Sequence, residues 1–256
     1  MPARALSILI LIGLFQVLAG RAMADSPFRS WSAVVIAGDW KGSGGGPSEA
    51  FDNARRDISA ELVRLGFNSS NILQYSVRPE RYGKERLAKS DIRAIFEGMS
   101  QLTSRNPEGC FVYLTTHGLP QGAVVDQSIL PPGILASMLE RTCGARPTIA
   151  VISACYSGVF VPDLGAANRM VMTAARPDRT SFGCGESNRY PFFDECFLQS
   201  TGSAPDFGAL ANLVRSCVAA REVQEGVQPP SEPQVFIGPQ LRPLLPLYAF
   251  PVRSTR

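Results

Sequence analysis

The chain has 256 residues, of which 45% are hydrophobic and 18% charged. That balance excludes a disordered or collagen-like polymer and allows a sizeable core, with one larger single-core domain as the expectation. With 25 basic against 22 acidic side chains and no block of like charge, nothing points to a polybasic membrane patch or a nucleic-acid groove, and no nucleic acid is expected as a partner.

Residues 1–24 read as a secretory leader. Arg4 precedes an apolar run over 5–19, and Ala22-Met23-Ala24 offers a small-residue cleavage site. The run falls short of the roughly 20 apolar residues of a bilayer span. A cleaved signal is therefore expected, with an uncleaved anchor as the alternative. The mature chain is expected to be exported, secreted or periplasmic, without stable membrane insertion. The folded domain is placed at 25–238, and the proline-rich tail at 239–256 is expected to lie extended or disordered.

Residues 31–37 are apolar and β-branched and predict a buried strand. A glycine-rich loop follows from Lys41 to Pro47. It could be read as a phosphate cradle, but it lacks the G-x-x-x-x-G-K-[ST] ending, so a flexible loop is the better reading. Ser48 is a reasonable N-cap for a helix bearing Phe51, Ile58, Leu62 and Leu65 at helical spacing, with Arg55, Arg56, Asp57 and Glu61 on its other faces. Residues 72–77 predict a second strand. Ser90 can cap a helix bearing Ile92, Ile95, Phe96, Met99 and Leu102.

A strand then runs into His117. A short apolar piece at 123–125, a helix at 133–141, a strand running into Cys155 and another at 170–174 follow. Residues 177–191 read as a long polar loop, and 192–197 as an apolar return broken by Asp194 and Glu195. Residues 207–220 predict a helix and 234–238 a late strand. Strands alternating with helices, several of them apolar without a polar alternation, predict an α/β fold: a mostly parallel sheet with helices on both faces.

His117 is the single histidine. It and Cys155 both end apolar runs, 38 residues apart, about one strand–helix–strand return. Adjacent parallel strands joined in this way carry both side chains over one rim, where ligands of such sheets bind. A cysteine attacks a carbonyl as its thiolate, and an imidazole both supports the thiolate and protonates the leaving amine. The backbone N–H groups of Gly118 and Cys155 are natural donors to an oxyanion. A buried cysteine at a strand end and a histidine in a strand are also common structural residues. No metal or cofactor is expected. Of the six cysteines, Cys184 and Cys196, bracketing a polar segment, are the expected disulfide pair.

Leu114-Thr115-Thr116-His117-Gly118, followed by Ile152-Ser153-Ala154-Cys155-Tyr156-Ser157-Gly158, resembles the active-site pair of caspase-like cysteine peptidases, and most of all the legumain family. The likeness runs from about Val34 to Gly238 and takes in Thr173-Ala174-Ala175 and the loop at 179–183. It implies a caspase-like fold and peptide or protein substrates. It also implies Cys155 as nucleophile, His117 as general acid/base and the Gly118 and Cys155 amides as oxyanion donors. The asparagine that often completes a legumain site is missing from the loop after the first strand, and Asp39 is the nearest polar candidate. The family's pocket acid falls closest to Glu195, with Asp194 adjacent; with Ser153 they are assigned to substrate binding. Such an acid suits Asn or a basic side chain. The family's loop arginine is absent, its place taken by residues 44–47. An exported endopeptidase is expected, with a transpeptidase using the same thioester, or a non-catalytic binding domain, as alternatives.

Overall fold

A computed structural model describes residues 26–83 and 85–251; the leader at 1–24 lies outside them. In chain order the strands that matter for the site are β1 (Trp31–Ala37), β2 (Ile72–Ser76), β3 (Ala88–Lys89) and β4 (Gly109–Thr115). A small hairpin system follows, β5 (Gly118–Leu119), β6 (Gly122–Val125) and β7 (Ser128–Leu130), and then β8 (Thr148–Ser153), β9 (Arg169–Thr173) and β10 (Gln234–Ile237). The main sheet has the order β10-β9-β8-β4-β1-β2-β3. All its pairings are parallel except β10 with β9.

Helices α1 (Ala50–Arg64), α2 (Ile92–Thr103), α3 (Pro132–Cys143), α4 (Phe160–Leu164), α5 (Phe192–Ser200) and α6 (Phe207–Glu225) cover both faces. The two faces follow from the alternation of side chains along each strand. Ala33, Val35, Phe111, Tyr113, Ile149 and Val151 join Ile58 and Leu62 of α1, Phe197 of α5 and Val214 of α6 in one core. Their sequence neighbours Val34, Ile36, Val112, Leu114, Ala150 and Ile152 join Met99 of α2, Leu139 of α3 and Leu164 of α4 in the other. Every residue of β4 and β8 is buried, which is why these runs lack a polar period.

Several local expectations change. Asp91, not Ser90, caps α2, its side chain accepting from the Ala94 N–H at 2.9 Å, while the Ser90 hydroxyl donates to the Ala37 carbonyl. Ser48 lies just before α1 and its hydroxyl accepts from the Ala50 N–H, but the cap position is Glu49. Arg55 is fully buried, paired with Asp52 and Glu85 beneath the Tyr82 ring. Residues 192–200 form helix α5. The described part of the tail folds inward: Leu241, Leu245 and Phe250 are buried, and the Phe250 ring meets those of Phe28 and Phe207. Proline there ends regular structure without preventing burial.

Candidate active site

The rim is built by ladder register. β4 and β8 are neighbours, and their last paired rung sets Thr115 against Ser153. His117 and Cys155 each stand two residues beyond that rung. The Thr116 N–H donates to the Ser153 carbonyl at 3.0 Å, so the strands stay tied as they leave the sheet. The sequence-predicted pair is therefore brought to one rim by two central, fully buried strands.

His117 is fixed from two sides. Its ring packs edge-on to Phe51 of α1, centroids 5.0 Å apart. Its Nε2 lies 2.9 Å from the Lys41 carbonyl oxygen. A carbonyl only accepts, so Nε2 carries the proton and Nδ1 is the basic nitrogen of the neutral ring. Asp39 does not fill that place. Its Oδ1 accepts from the Trp40 and Lys41 N–H groups, at 2.6 and 3.0 Å, and so bends the loop that delivers the Lys41 carbonyl.

Cys155 is a free thiol whose Sγ accepts from the Ser181 N–H at 3.3 Å. The next residue, Tyr156, holds φ +56°, a left-handed conformation uncommon for a side chain of that size. It is kept there by its N–H, which donates to the Arg179 carbonyl at 2.7 Å. Gly158 packs on Pro177, where a Cβ would come within 2.5 Å of the ring. The turn carrying the thiol is thus docked on the loop at 176–181.

Two backbone donors face this turn. The Cys155 N–H has no hydrogen-bond partner among the described residues. Gly118 pairs with Ala123, while the Val124 N–H donates to the His117 carbonyl. Narrow and wide pairs alternate in an antiparallel ladder, so the Gly118 N–H points away from β6. Gly118 also lies so close to the thiol's turn that a Cβ would fall 1.9 Å from the Cys155 carbonyl oxygen.

The second free thiol is Cys184, whose pKa is pushed up to about 11, first by burial and then by the neighbouring Cys155. The expected Cys184–Cys196 bridge does not form. Cys196 on α5 bonds Cys217 on α6, and Cys110 on β4 bonds Cys143 at the end of α3. Cys196 faces the α5–α6 contact, while Cys184 stays in the loop beside the site.

Of the three residues assigned to substrate binding, Asp194 and Ser153 are buried and Glu195 is half-buried. Asp194 is fully buried beneath the rim, accepting from the Tyr113 hydroxyl at 2.6 Å and the Thr115 hydroxyl at 2.5 Å. Ser153, also buried, lies near enough to the same carboxyl to lower its pKa. Burial raises the Asp194 pKa to about 6, against the pull of these hydroxyls. Asp194 thus braces the end of β4 from below, beside its last rung with β8. Glu195 is paired with Arg221 of α6. Sequence reasoning missed Lys41, which acts through its backbone, and Glu186, which accepts from the Gly46 N–H at 3.0 Å. The run of glycines at 42–46 was the one available signal for Glu186.

Among solved structures, the crystal structure of caspase-1 from Spodoptera frugiperda superposes with a TM-score of 0.59 at 14% identity, covering 83% of this chain and 88% of that one. At that identity the likeness is one of fold, and it agrees with the caspase-like α/β sheet described above. Comparison with curated proteins gives no match. The family model of the Peptidase C13 family matches residues 67–230, a span that holds both His117 and Cys155 and begins after the glycine loop. The chain belongs to the Peptidase C13 family of cysteine peptidases.

Proposed function

We propose that the chain is an exported endopeptidase of legumain-like type that cleaves peptide bonds with a Cys155/His117 dyad. The observation that carries this is the shared register: both side chains leave adjacent parallel strands two residues beyond the Thr115–Ser153 rung. In this reading His117 Nδ1 takes the thiol proton and Cys155 Sγ attacks the scissile carbonyl. The oxyanion is received by the Cys155 and Gly118 N–H groups. The imidazolium then protonates the departing amine, and a thioester remains on Cys155. Water, deprotonated by His117, releases the acid and restores the thiol. The Lys41 carbonyl, reached through the turn that Asp39 bends, keeps the imidazole in the tautomer this sequence needs.

Export is supported by the leader at 1–24 and by two disulfides, which persist in oxidising compartments. Among the described residues no helix is long and apolar enough to cross a membrane.

The test is labelling by an electrophilic peptide probe together with cleavage of a peptide library. Wild type labels on Cys155 and cleaves; Cys155→Ala and His117→Ala do neither. Labelling and cleavage at wild-type rates in either variant would sink the assignment. Adding an amine nucleophile and weighing the products separates hydrolysis from transfer, since both proceed from the same thioester.

A further inference from the structure

The glycine loop between β1 and α1 presents a physical difficulty. Gly42, Gly44, Gly45 and Gly46 are among the costliest residues to hold in one conformation. Yet the carbonyl that fixes His117 belongs to Lys41, at the base of this loop. Some other group must hold the loop still.

Glu186 lies across it from 140 positions away. A Cβ on Gly42 would stand 2.7 Å from the Glu186 carboxyl carbon, one on Gly44 2.7 Å from its Oε1, and one on Gly46 3.1 Å from its Cγ. The glycines are bare because this side chain occupies the space. Oε1 accepts from the Gly46 N–H at 3.0 Å. The flanking backbone is fastened as well. The Ser43 N–H donates to the Cys184 carbonyl at 3.0 Å, and the Ser48 hydroxyl donates to the Gly185 carbonyl at 3.3 Å. Within the loop, the Gly42 N–H donates to the Gly46 carbonyl at 2.8 Å, and Lys41 forms a β-bridge with Pro47. Glu186 is itself exposed, so core packing does not account for it.

We propose that Glu186 is the positioning residue of the His117 half of the site: its carboxylate latches the glycine loop and so holds the Lys41 carbonyl against the imidazole. Several backbone N–H groups, its own and that of Gly46 foremost, hold the carboxyl below its ordinary range, so the latch is ionised at neutral pH. The positive end of His117 acts in the same direction.

The inference rests on the acid–base reading of His117, and the experiment separates the two. His117 is the single histidine, so in tag-free protein labelled with 15N-histidine its ring N–H gives a unique signal that needs no turnover. Glu186→Ala is expected to lose or broaden that signal and to lower kcat by about ten- to a hundredfold with KM within about twofold, as misplacement of a reacting group does. Glu186→Gln, which keeps an acceptor for Gly46, should restore the ring signal and most of kcat. Gly44→Ala, whose methyl displaces the carboxylate, should behave as Glu186→Ala does. A Glu186→Ala protein with the wild-type ring signal and kcat overturns the latch, and so does a loss confined to KM, which would mark a substrate contact. Activity surviving in His117→Ala would overturn the acid–base reading instead, while the ring signal would still decide whether Glu186 positions the imidazole.

Discussion

The imidazole of His117 is bonded through Nε2 to the carbonyl of Lys41, 2.9 Å away and 76 positions earlier in the chain. A backbone acceptor here gives the ring an orientation and a tautomer without adding a charge. The carboxylate nearest in sequence, Asp39, acts one step back, on the turn. Asp39→Asn keeps an oxygen acceptor for the Trp40 and Lys41 N–H groups and should retain most of kcat. Asp39→Ala should lower it by roughly three- to tenfold, equivalent to about 1 kcal/mol of positioning. Steady-state kinetics on a peptide substrate decide. Equal losses in both variants would mean that the charge, not the turn, matters.

The closeness of Gly118 to the Cys155 carbonyl makes it the most sensitive glycine of the rim. Gly118→Ala must push one strand end from the other and misalign the two N–H donors. The expected loss is about a hundredfold in kcat, the scale of removing one oxyanion donor. Thermal denaturation should move far less than it does for a core truncation. A variant with wild-type kcat would remove the Gly118 amide from the mechanism.

Asp194 predicts an unusual pH dependence of stability. Burial lifts its folded-state pKa to about 6 from 3.8, so the native chain holds this proton more tightly than the unfolded one. The favourable contribution is complete below about pH 4 and is lost as pH rises through about 6, on the order of 3 kcal/mol in all. Urea unfolding of wild type and Asp194→Asn, compared from pH 4 to pH 8, should show the wild type losing ground over that window and a constant difference above it. A difference independent of pH would contradict the assignment.

The disulfides can be counted. Protein recovered from an oxidising compartment and unfolded without reductant should expose two thiols per chain, Cys155 and Cys184, and six after reduction. Replacing both Cys196 and Cys217 by serine opens a crosslink spanning 21 positions. The expected cost is about 3 kcal/mol, read as a lower denaturation midpoint. Peptide mapping that joins Cys184 to Cys196 would reverse the assignment.

The proposed pair was legible because a strand buried on both faces writes itself as an unbroken apolar run, and two such runs ended in a histidine and a cysteine. The sheet followed from the same runs. The supporting groups were not legible, since their partners come from distant parts of the chain. Asp194 finds Tyr113 and Thr115 about 80 positions away. Read locally, 192–197 looked like an apolar return broken by two acids, when one of them is fully buried and the segment is helical. Arg55 misled for the same reason: its burial depends on Glu85 and Tyr82, which no helical wheel of α1 contains. Lys41 contributes a carbonyl, and every residue has one.

The aromatic contact between Phe28 and Phe250 brings the two ends of the described chain together where β1 begins. The strands of β1, β4 and β8 run in parallel from that side toward the rim that bears Cys155 and His117. The seven residues of β1 cover roughly 20 Å. Whatever is joined to either end, whether a domain, a tag or an inhibitory extension, therefore starts on the far side of the sheet. A segment meant to cover that rim needs at least about six or seven extended residues before it can arrive there.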